Sequence, residues 1–119
     1  MTIAPTITER RVTFRRLHDG GFFLLPNAWD PGSAVRLTRA GFRAIASTSA
    51  GAAWAAGMDD GALGLEETLD HLRVLVSATP LPVNADFENG FADHPEDVAR
   101  NVARAVATGI AGLSIEDWS

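Results

Sequence analysis

Residues 82–91 read PVNADFENGF, and this stretch decides how the rest of the chain is interpreted. A short apolar segment with the composition of a strand ends there in two carboxylates, Asp86 and Glu88. Because side chains alternate across a strand, the two are expected to project to the same side. Residues 113–117 read LSIED and repeat the pattern, so that a neighbouring parallel strand would bring Glu116 alongside. A cluster of carboxylate oxygens of this kind suits Mg²⁺.

Composition restricts the classes of function. The chain has 119 residues, of which 46% are apolar and 21% charged, which predicts a globular chain of one domain at most. Fifteen acidic and ten basic side chains give a net charge of −5, and no run of like charges is present. This argues against nucleic acid and an anionic membrane surface as partners and favours a small molecule or a second copy of the chain.

The sequence contains neither cysteine nor lysine, and both absences limit the chemistry that these residues can perform. Without cysteine, disulfides, thiolate metal sites and thiol catalysis are impossible. Without lysine, since all ten basic residues are arginine, a Schiff-base mechanism within these residues is disfavoured. No apolar stretch approaches the roughly 18 residues of a membrane span, and residues 1–16 lack the apolar part of a signal peptide. We therefore expect a cytoplasmic protein that does not enter a membrane.

Strands and helices are predicted to alternate. Apolar runs bounded by turn residues predict strands, and apolar residues at helical spacing predict helices. The predicted strands are 22–27, 42–46, 83–86 and 110–115; the predicted helices are 7–18, 31–40, 65–78 and one from a capping box at 93–96 up to Gly109; residues 47–64 are a long loop. Strict alternation implies a parallel sheet, in either a barrel or a doubly wound fold. No glycine fingerprint follows the first strand, so dinucleotide binding is not expected.

Five segments in order resemble one enzyme family. They are residues 25–34 (LPNAWDPGSA), 47–51 (STSAG), 57–63 (GMDDGAL), 83–86 (VNAD) and 113–117 (LSIED). Together they resemble the isocitrate lyase and phosphoenolpyruvate mutase superfamily over roughly residues 20–118. The resemblance implies an α/β fold, the N-terminal half of a (β/α)₈ TIM-type barrel with four parallel strands and alternating helices. It also implies a Mg²⁺-dependent lyase or mutase that acts on 2-oxo- or hydroxy-carboxylates and makes or breaks C–C or P–C bonds through an enolate-like intermediate.

The same resemblance assigns metal-binding residues. Asp86 matches the family's direct metal contact, while Glu88, Glu116 and Asp60 match carboxylates that reach the ion through water. The family more often has aspartate where Glu88 stands, and Asp59 is an alternative to Asp60. Without the resemblance, Asp86, Glu88 and Glu116 would be interpreted as solvated loop carboxylates; the resemblance favours metal binding instead.

A substrate-binding loop is implied as well. Thr48, Ser49 and Ala50 fall where the family binds the substrate carboxylate with hydroxyl and backbone N–H groups, although a polar loop that caps a helix would look the same. No catalytic residue is assigned.

Four strands cannot close a barrel, which takes about 250 residues. We therefore expect residues 1–119 to form a single partial domain that begins with a helical segment over residues 1–20, and to be a fragment of a longer enzyme. The family's mobile loop after the fourth strand and its later substrate contacts have no counterpart in these residues. The alternative is a half barrel without activity of its own that self-associates, because its edge strands would be unpaired. Either way a homo-oligomer is expected.

Overall fold

The computed structural model describes residues 3–117, which contain five helices and four strands; one or two helices lie between successive strands. The helices are α1 (Ile7–Leu17), α2 (Pro31–Arg39), α3 (Ser49–Ala55), α4 (Leu65–Ala78) and α5 (Pro95–Val106). The strands are β1 (Asn27–Ala28), β2 (Ile45–Ser47), β3 (Val83–Asp86) and β4 (Gly112–Ser114). The longest helix, α4, has 14 residues, and no helix in this described part is long and apolar enough to cross a membrane.

The four strands form one parallel sheet in the order β1-β2-β3-β4. Ile45 lies opposite Val83, and Asp86 lies opposite Ser114. Consecutive parallel strands joined by helices are the arrangement of half a TIM-type barrel, so the predicted fold class is confirmed. All four strands end at the same edge of the sheet, which gathers the segments that follow them.

The core lies between the sheet and the helices. Its members are fully or nearly fully buried and include Ala28, Ile45, Leu69, Leu72, Leu75, Val83, Ala85, Phe87 and Ile110. Helix α4 contributes one face, as its apolar spacing predicts. The strand residues in this cluster alternate with others that face the opposite side of the sheet. Those others are Asn84 and Asp86 on β3, and the Asn84 side chain donates to Ser114 Oγ at 3.2 Å. The inner face of the half barrel is therefore polar where β3 and β4 meet.

Helix α1 closes the end of the sheet where the strands begin. Arg11 donates from Nε to the Ile110 carbonyl at 3.0 Å and from a terminal nitrogen to the Val106 carbonyl at 2.8 Å. The Arg10 guanidinium donates to the Val76 carbonyl at 3.0 Å. The two arginines thus satisfy carbonyls at or after the ends of α4 and α5, where cations are favoured. Phe14 of α1 is buried against Gly112.

Helix boundaries follow the expected signals at α2 and α4. Asp30 caps α2 by accepting from the Ser33 N–H at 2.7 Å, and Pro31 is the first helical residue. Gly41 follows the helix with a φ of +96°, a conformation that glycine adopts without strain. The predicted helix 65–78 agrees with α4 at both ends.

Three local predictions are wrong. Residues 22–25 are not a strand, and Phe22 and Leu24 are 85% and 65% exposed, because β1 pairs with β2 only through Asn27 and Ala28. The predicted loop 47–64 contains α3, since alanine has the highest helix propensity and outweighs the glycines. The predicted capping box at 93–96 does not form: the N-cap of α5 is His94, whose side chain makes no capping hydrogen bond.

Candidate metal and substrate site

Asp86 is fixed from two directions by the end of β2. Its backbone N–H donates to Ser47 Oγ at 2.8 Å, and its Oδ2 accepts from the Ser49 N–H at 2.9 Å. Ser47 is buried, so this hydrogen bond is shielded from solvent. Asp86 Oδ1 has only a 3.5 Å contact with the Glu88 N–H, which is too long for a strong hydrogen bond. The side chain is therefore oriented by one oxygen and has the other available.

A cavity of about 120 Å³ opens at the edge of the sheet where the strands end. The cavity is lined by Ser49, Asp60, Gly61, Glu88 and Glu116. Asp86 does not line it, but accepts a hydrogen bond from the N–H of Ser49, which does. Three carboxylates from three different loops thus surround one space. The cavity is lined by Asp60 and not by Asp59, so geometry distinguishes the two neighbours that sequence left as alternatives.

The carboxylates near the cavity repel one another electrostatically. The pKa of Glu88 is raised above its ordinary value, first by burial and then by the negative charges of Asp86, Asp60 and Glu116. Each of the three neighbours therefore acts on Glu88 as a like charge. Within residues 3–117 no arginine or histidine lines the cavity. The site carries an excess of negative charge that a cation would relieve.

Glu88 reaches the cavity through an unusual backbone conformation and not through strand alternation. Strand β3 ends at Asp86, and Glu88 has a φ of +51°, a left-handed conformation that costs a residue with a side chain about 1–3 kcal/mol. The Glu88 carbonyl accepts from the Glu116 N–H at 2.7 Å. This hydrogen bond links the loops after β3 and β4 and brings the two carboxylates to one cavity.

The predicted substrate loop is the first turn of α3. Thr48 is its N-cap and accepts from the Gly51 N–H at 3.1 Å, so the helix-capping alternative holds for the Thr48 hydroxyl. The Ser49 N–H is engaged by Asp86, and Ser49 itself lines the cavity. The Ala50 N–H has no hydrogen-bond partner among the described residues. Ser49 adjoins the carboxylate cavity, whereas Thr48 and Ala50 do not line it.

The donor set is chemically suited to Mg²⁺, although it is not a closed shell. Among residues 3–117, no group of three or more Asp, Glu or His side chains is arranged so that it could hold a metal ion by itself. Hard oxygen donors with room for water are what Mg²⁺ accepts, since it usually binds one or two carboxylates and keeps several waters. The carboxylates around the cavity are therefore donors of the type that Mg²⁺ accepts, although the described residues do not close a coordination shell.

Two residues of the site were not predicted from sequence. Ser47 positions Asp86, and Gly61 lines the cavity with a φ of +86°. Both lie within segments that carried the family resemblance. Nothing in the sequence separated the role of Ser47 from that of the hydroxyls that follow it.

Comparison with known proteins identifies the family of the chain. Residues 14–119 match the profile of the family described as phosphoenolpyruvate phosphomutase. A Burkholderia cenocepacia J2315 protein assigned provisionally as a lyase/mutase is 46% identical, with a TM-score of 0.93 over 95% of this chain and 41% of its own. The 2,3-dimethylmalate lyase of the PEP mutase/isocitrate lyase superfamily is 30% identical, with a TM-score of 0.83 over 92% and 39% of the two chains.

A curated relative points to the same group of enzymes. The 2-methylisocitrate lyase of Escherichia coli K12 is 36% identical over 86 residues, which are 71% of this chain and 29% of that enzyme. Across these relatives the chain spans between 29% and 41% of their length. The relatives named above are a lyase/mutase and two lyases, and this chain corresponds to only part of each.

Proposed function

Because the chain belongs to the phosphoenolpyruvate mutase and isocitrate lyase superfamily, we propose that its carboxylate cavity is half of a Mg²⁺-dependent lyase or mutase site. The observation that carries the proposal is that Asp60, Glu88 and Glu116 line one cavity next to an Asp86 whose orientation is fixed by Ser49. The second half of the site would come from residues beyond the fourth strand of a complete barrel.

Asp86, Asp60, Glu88 and Glu116 would hold the cation. When bound, Mg²⁺ supplies positive charge that stabilises negative charge on a substrate oxygen. Only Asp86 would contact the ion directly, because the other three carboxylates would act through water. This direct contact alone would not neutralise the charge of the ion. Cation binding would also depend on pH, because a protonated Glu88 is a poorer ligand than its carboxylate. The pKa of Glu88 is raised, so this side chain stays protonated to a higher pH than an ordinary glutamate.

The first turn of α3 supports the proposed substrate class. The start of a helix favours an anion, and the Ala50 N–H, which has no hydrogen-bond partner within residues 3–117, is a donor for one. Ser49 belongs to this turn and also lines the cavity, so a small molecule with a carboxylate at one end could contact both. A 2-oxo- or hydroxy-carboxylate has this shape, and the relatives named for dimethylmalate and methylisocitrate support the choice. The reaction would be C–C or P–C bond cleavage or formation by way of an enolate-like intermediate.

Titration calorimetry tests the cation site. We expect Mg²⁺ to bind the chain, and Asp86→Asn and Asp60→Asn to weaken binding at least tenfold, in the range typical for metal-site changes. Asp86→Asn keeps an oxygen that can accept from the Ser49 N–H, so the loop should stay ordered. The matched control is Asp59→Asn, one residue away and outside the cavity lining. Equal losses in the Asp59 and Asp60 variants would contradict the assignment.

Oxalate tests the substrate class, because this planar dianion resembles the enolate of a 2-oxo acid. Oxalate should bind in the presence of Mg²⁺ and not in its absence. Binding that is independent of Mg²⁺, or that survives in Asp86→Asn, would contradict the proposed arrangement.

Self-association is a second role, favoured by the exposed apolar residues ahead of β1. Phe22 and Leu24 are 85% and 65% exposed and line a groove of about 240 Å³ together with Phe42. The groove adjoins β1, one free edge of the sheet, and β4 is the other. Two copies related by a two-fold axis would bring β1 of one beside β4 of the other in parallel. We infer that the occupant of this groove is a second copy of the chain.

Sedimentation velocity tests this role. The wild-type chain should sediment as a dimer, and Phe22→Ser with Leu24→Ser should shift it toward the monomer. Val74→Ser is the control, because Val74 is 46% exposed but lies on α4, away from both sheet edges. A wild-type chain that sediments as a monomer at all concentrations would contradict self-association and leave the cation site unaffected.

A further inference from the structure

The turn that carries Glu88 is a strained segment in the described chain. Glu88 and Phe91 both have left-handed φ values, +51° and +59°, and Gly90 between them has +82°. Residues with side chains keep such conformations only where the surrounding structure determines them. The contacts that determine this turn therefore control where the Glu88 carboxylate lies.

Helix α5 supplies those contacts through Asn101. The Asn101 side-chain amide donates to the Gly90 carbonyl at 2.8 Å and to the Phe91 carbonyl at 3.3 Å. One turn earlier on the helix, Val98 packs so closely that a Cβ on Gly90 would lie 2.7 Å from Val98 Cγ1. The helix thus holds the turn by hydrogen bonds and by packing at adjacent positions.

The turn is also held by contacts among its own residues and by a hydrogen bond to the loop after β4, on the cavity side. The Gly90 N–H donates to the Phe87 carbonyl at 2.9 Å, and the Phe87 and Phe91 rings pack edge to face with centroids 5.0 Å apart. Phe87 is fully buried and anchors the start of the turn. The Glu88 carbonyl accepts from the Glu116 N–H, so movement of the turn would displace both Glu88 and Glu116.

We propose that Asn101 is a positioning residue for the cation site: its amide fixes the turn at residues 87–91 and thereby the separation of the Glu88 and Glu116 carboxylates. Asn101 does not line the cavity and acts through the backbone of the turn. This inference rests on the proposed function for its effect on the ion, whereas its effect on the turn can be measured without any metal.

Hydrogen exchange of the metal-free chain is the first test. Asn101→Asp keeps the shape of the side chain but replaces the donor with an oxygen that faces two carbonyls, and Asn101→Ala removes the donor without adding charge. In both variants the Gly90 and Phe91 amides should exchange at least tenfold faster, while the buried Leu72 amide of α4 should be unchanged. The control is Arg100→Ala on the same helix, which removes only an exposed pair with Asp97. Unchanged exchange at Gly90 and Phe91 would overturn the inference.

Mg²⁺ affinity in a double-mutant cycle is the second test, because a merely structural role would not depend on Glu88. Asn101→Asp should weaken Mg²⁺ binding about tenfold in the wild-type chain, the lower end of what residues that orient metal ligands contribute. In a Glu88→Gln background the same change should cost much less, since the group it positions is already altered. Equal losses in the two backgrounds would overturn the inference.

The two tests separate failure of this inference from failure of the proposed function. If the wild-type chain binds no Mg²⁺, the proposed cation site fails, and hydrogen exchange alone decides whether Asn101 orders the turn. If Mg²⁺ binds and Asn101→Asp changes neither exchange nor affinity, the cation site stands and the positioning role of Asn101 falls.

Discussion

Replacing Glu88 with Gln should stabilise the metal-free protein at neutral pH and weaken the metal-bound one. Glu88 shares its cavity with Asp60 and Glu116, and Asp86 adds a third like charge. Solvent in contact with these carboxylates screens their charges. The energy of their combined repulsion should therefore be about as small as the interaction energy of an exposed ion pair. We expect a gain of about 1 kcal/mol in the free energy of unfolding of Glu88→Gln at pH 7.

The pH dependence of this gain has a definite sign. The pKa of Glu88 in the folded chain is raised above its ordinary value of 4.5. Below that value Glu88 is protonated in both folded and unfolded chains, so wild type and variant should be equally stable. As the pH rises from 4.5 through the raised pKa, the unfolded chain loses its proton first and the wild-type fold loses stability. The difference between the two proteins should therefore appear over this range and stay constant above it.

Magnesium should reverse the order of stability. A ligand at 100 times its dissociation constant stabilises the folded state by about 2.7 kcal/mol, and Glu88→Gln should gain less because a cation ligand is lost. Urea denaturation at pH 4, 5.5 and 7, with and without Mg²⁺, measures the free energy of unfolding of both proteins under each condition. Asp59→Asn is the control and should follow wild type in every condition. The reasoning is refuted if Glu88→Gln is no more stable than wild type in metal-free buffer at pH 7.

Two further predictions concern the scaffold that holds the site. Gly112→Ala should lower the free energy of unfolding by about 1–3 kcal/mol, because its new Cβ would lie 2.6 Å from the buried Phe14 ring. The control, Gly20→Ala, should change this free energy little, because no atom lies within 4 Å of its new Cβ. Equal effects of the two changes in urea denaturation would contradict this packing. Leu72→Ala should cost about 2–5 kcal/mol since Leu72 is fully buried, whereas Val74→Ala on the exposed face of the same helix should stay within about 0.5 kcal/mol. Similar midpoints for the two α4 variants would mean that this helix packs by a different face.

Regular elements with a strong local signal could be predicted from the sequence. Helix α4 was predicted at both ends because its apolar spacing is sustained over several turns, and α2 because Asp30 and Pro31 specify where it starts. The first strand was misplaced because an apolar run such as residues 22–25 is typical of a buried strand. Whether it becomes one depends on pairing with a distant segment, which local sequence does not encode.

The sequence was sufficient to predict which segments meet at the site, but not how each side chain reaches it. Parallel strands end at one edge of a sheet, so carboxylates that follow β3 and β4 had to come near each other. The exact route was not predictable, since Glu88 enters the cavity by a left-handed turn that depends on contacts from Asn101 and Val98 on a later helix. Sequence also gave no means of separating hydroxyls that cap α3 from groups that face the cavity.

The most direct test of the cation site is to locate a bound ion with Mn²⁺, which takes the same oxygen ligands and broadens nearby amide signals in NMR spectra. The strongest broadening is predicted at the amides of Ser49, Gly61 and Phe87, with none in α1, and Asp86→Asn should abolish the pattern. Broadening centred on the exposed acids Glu66 and Asp70, or a pattern that persists in Asp86→Asn, would contradict a cation site at this edge of the sheet.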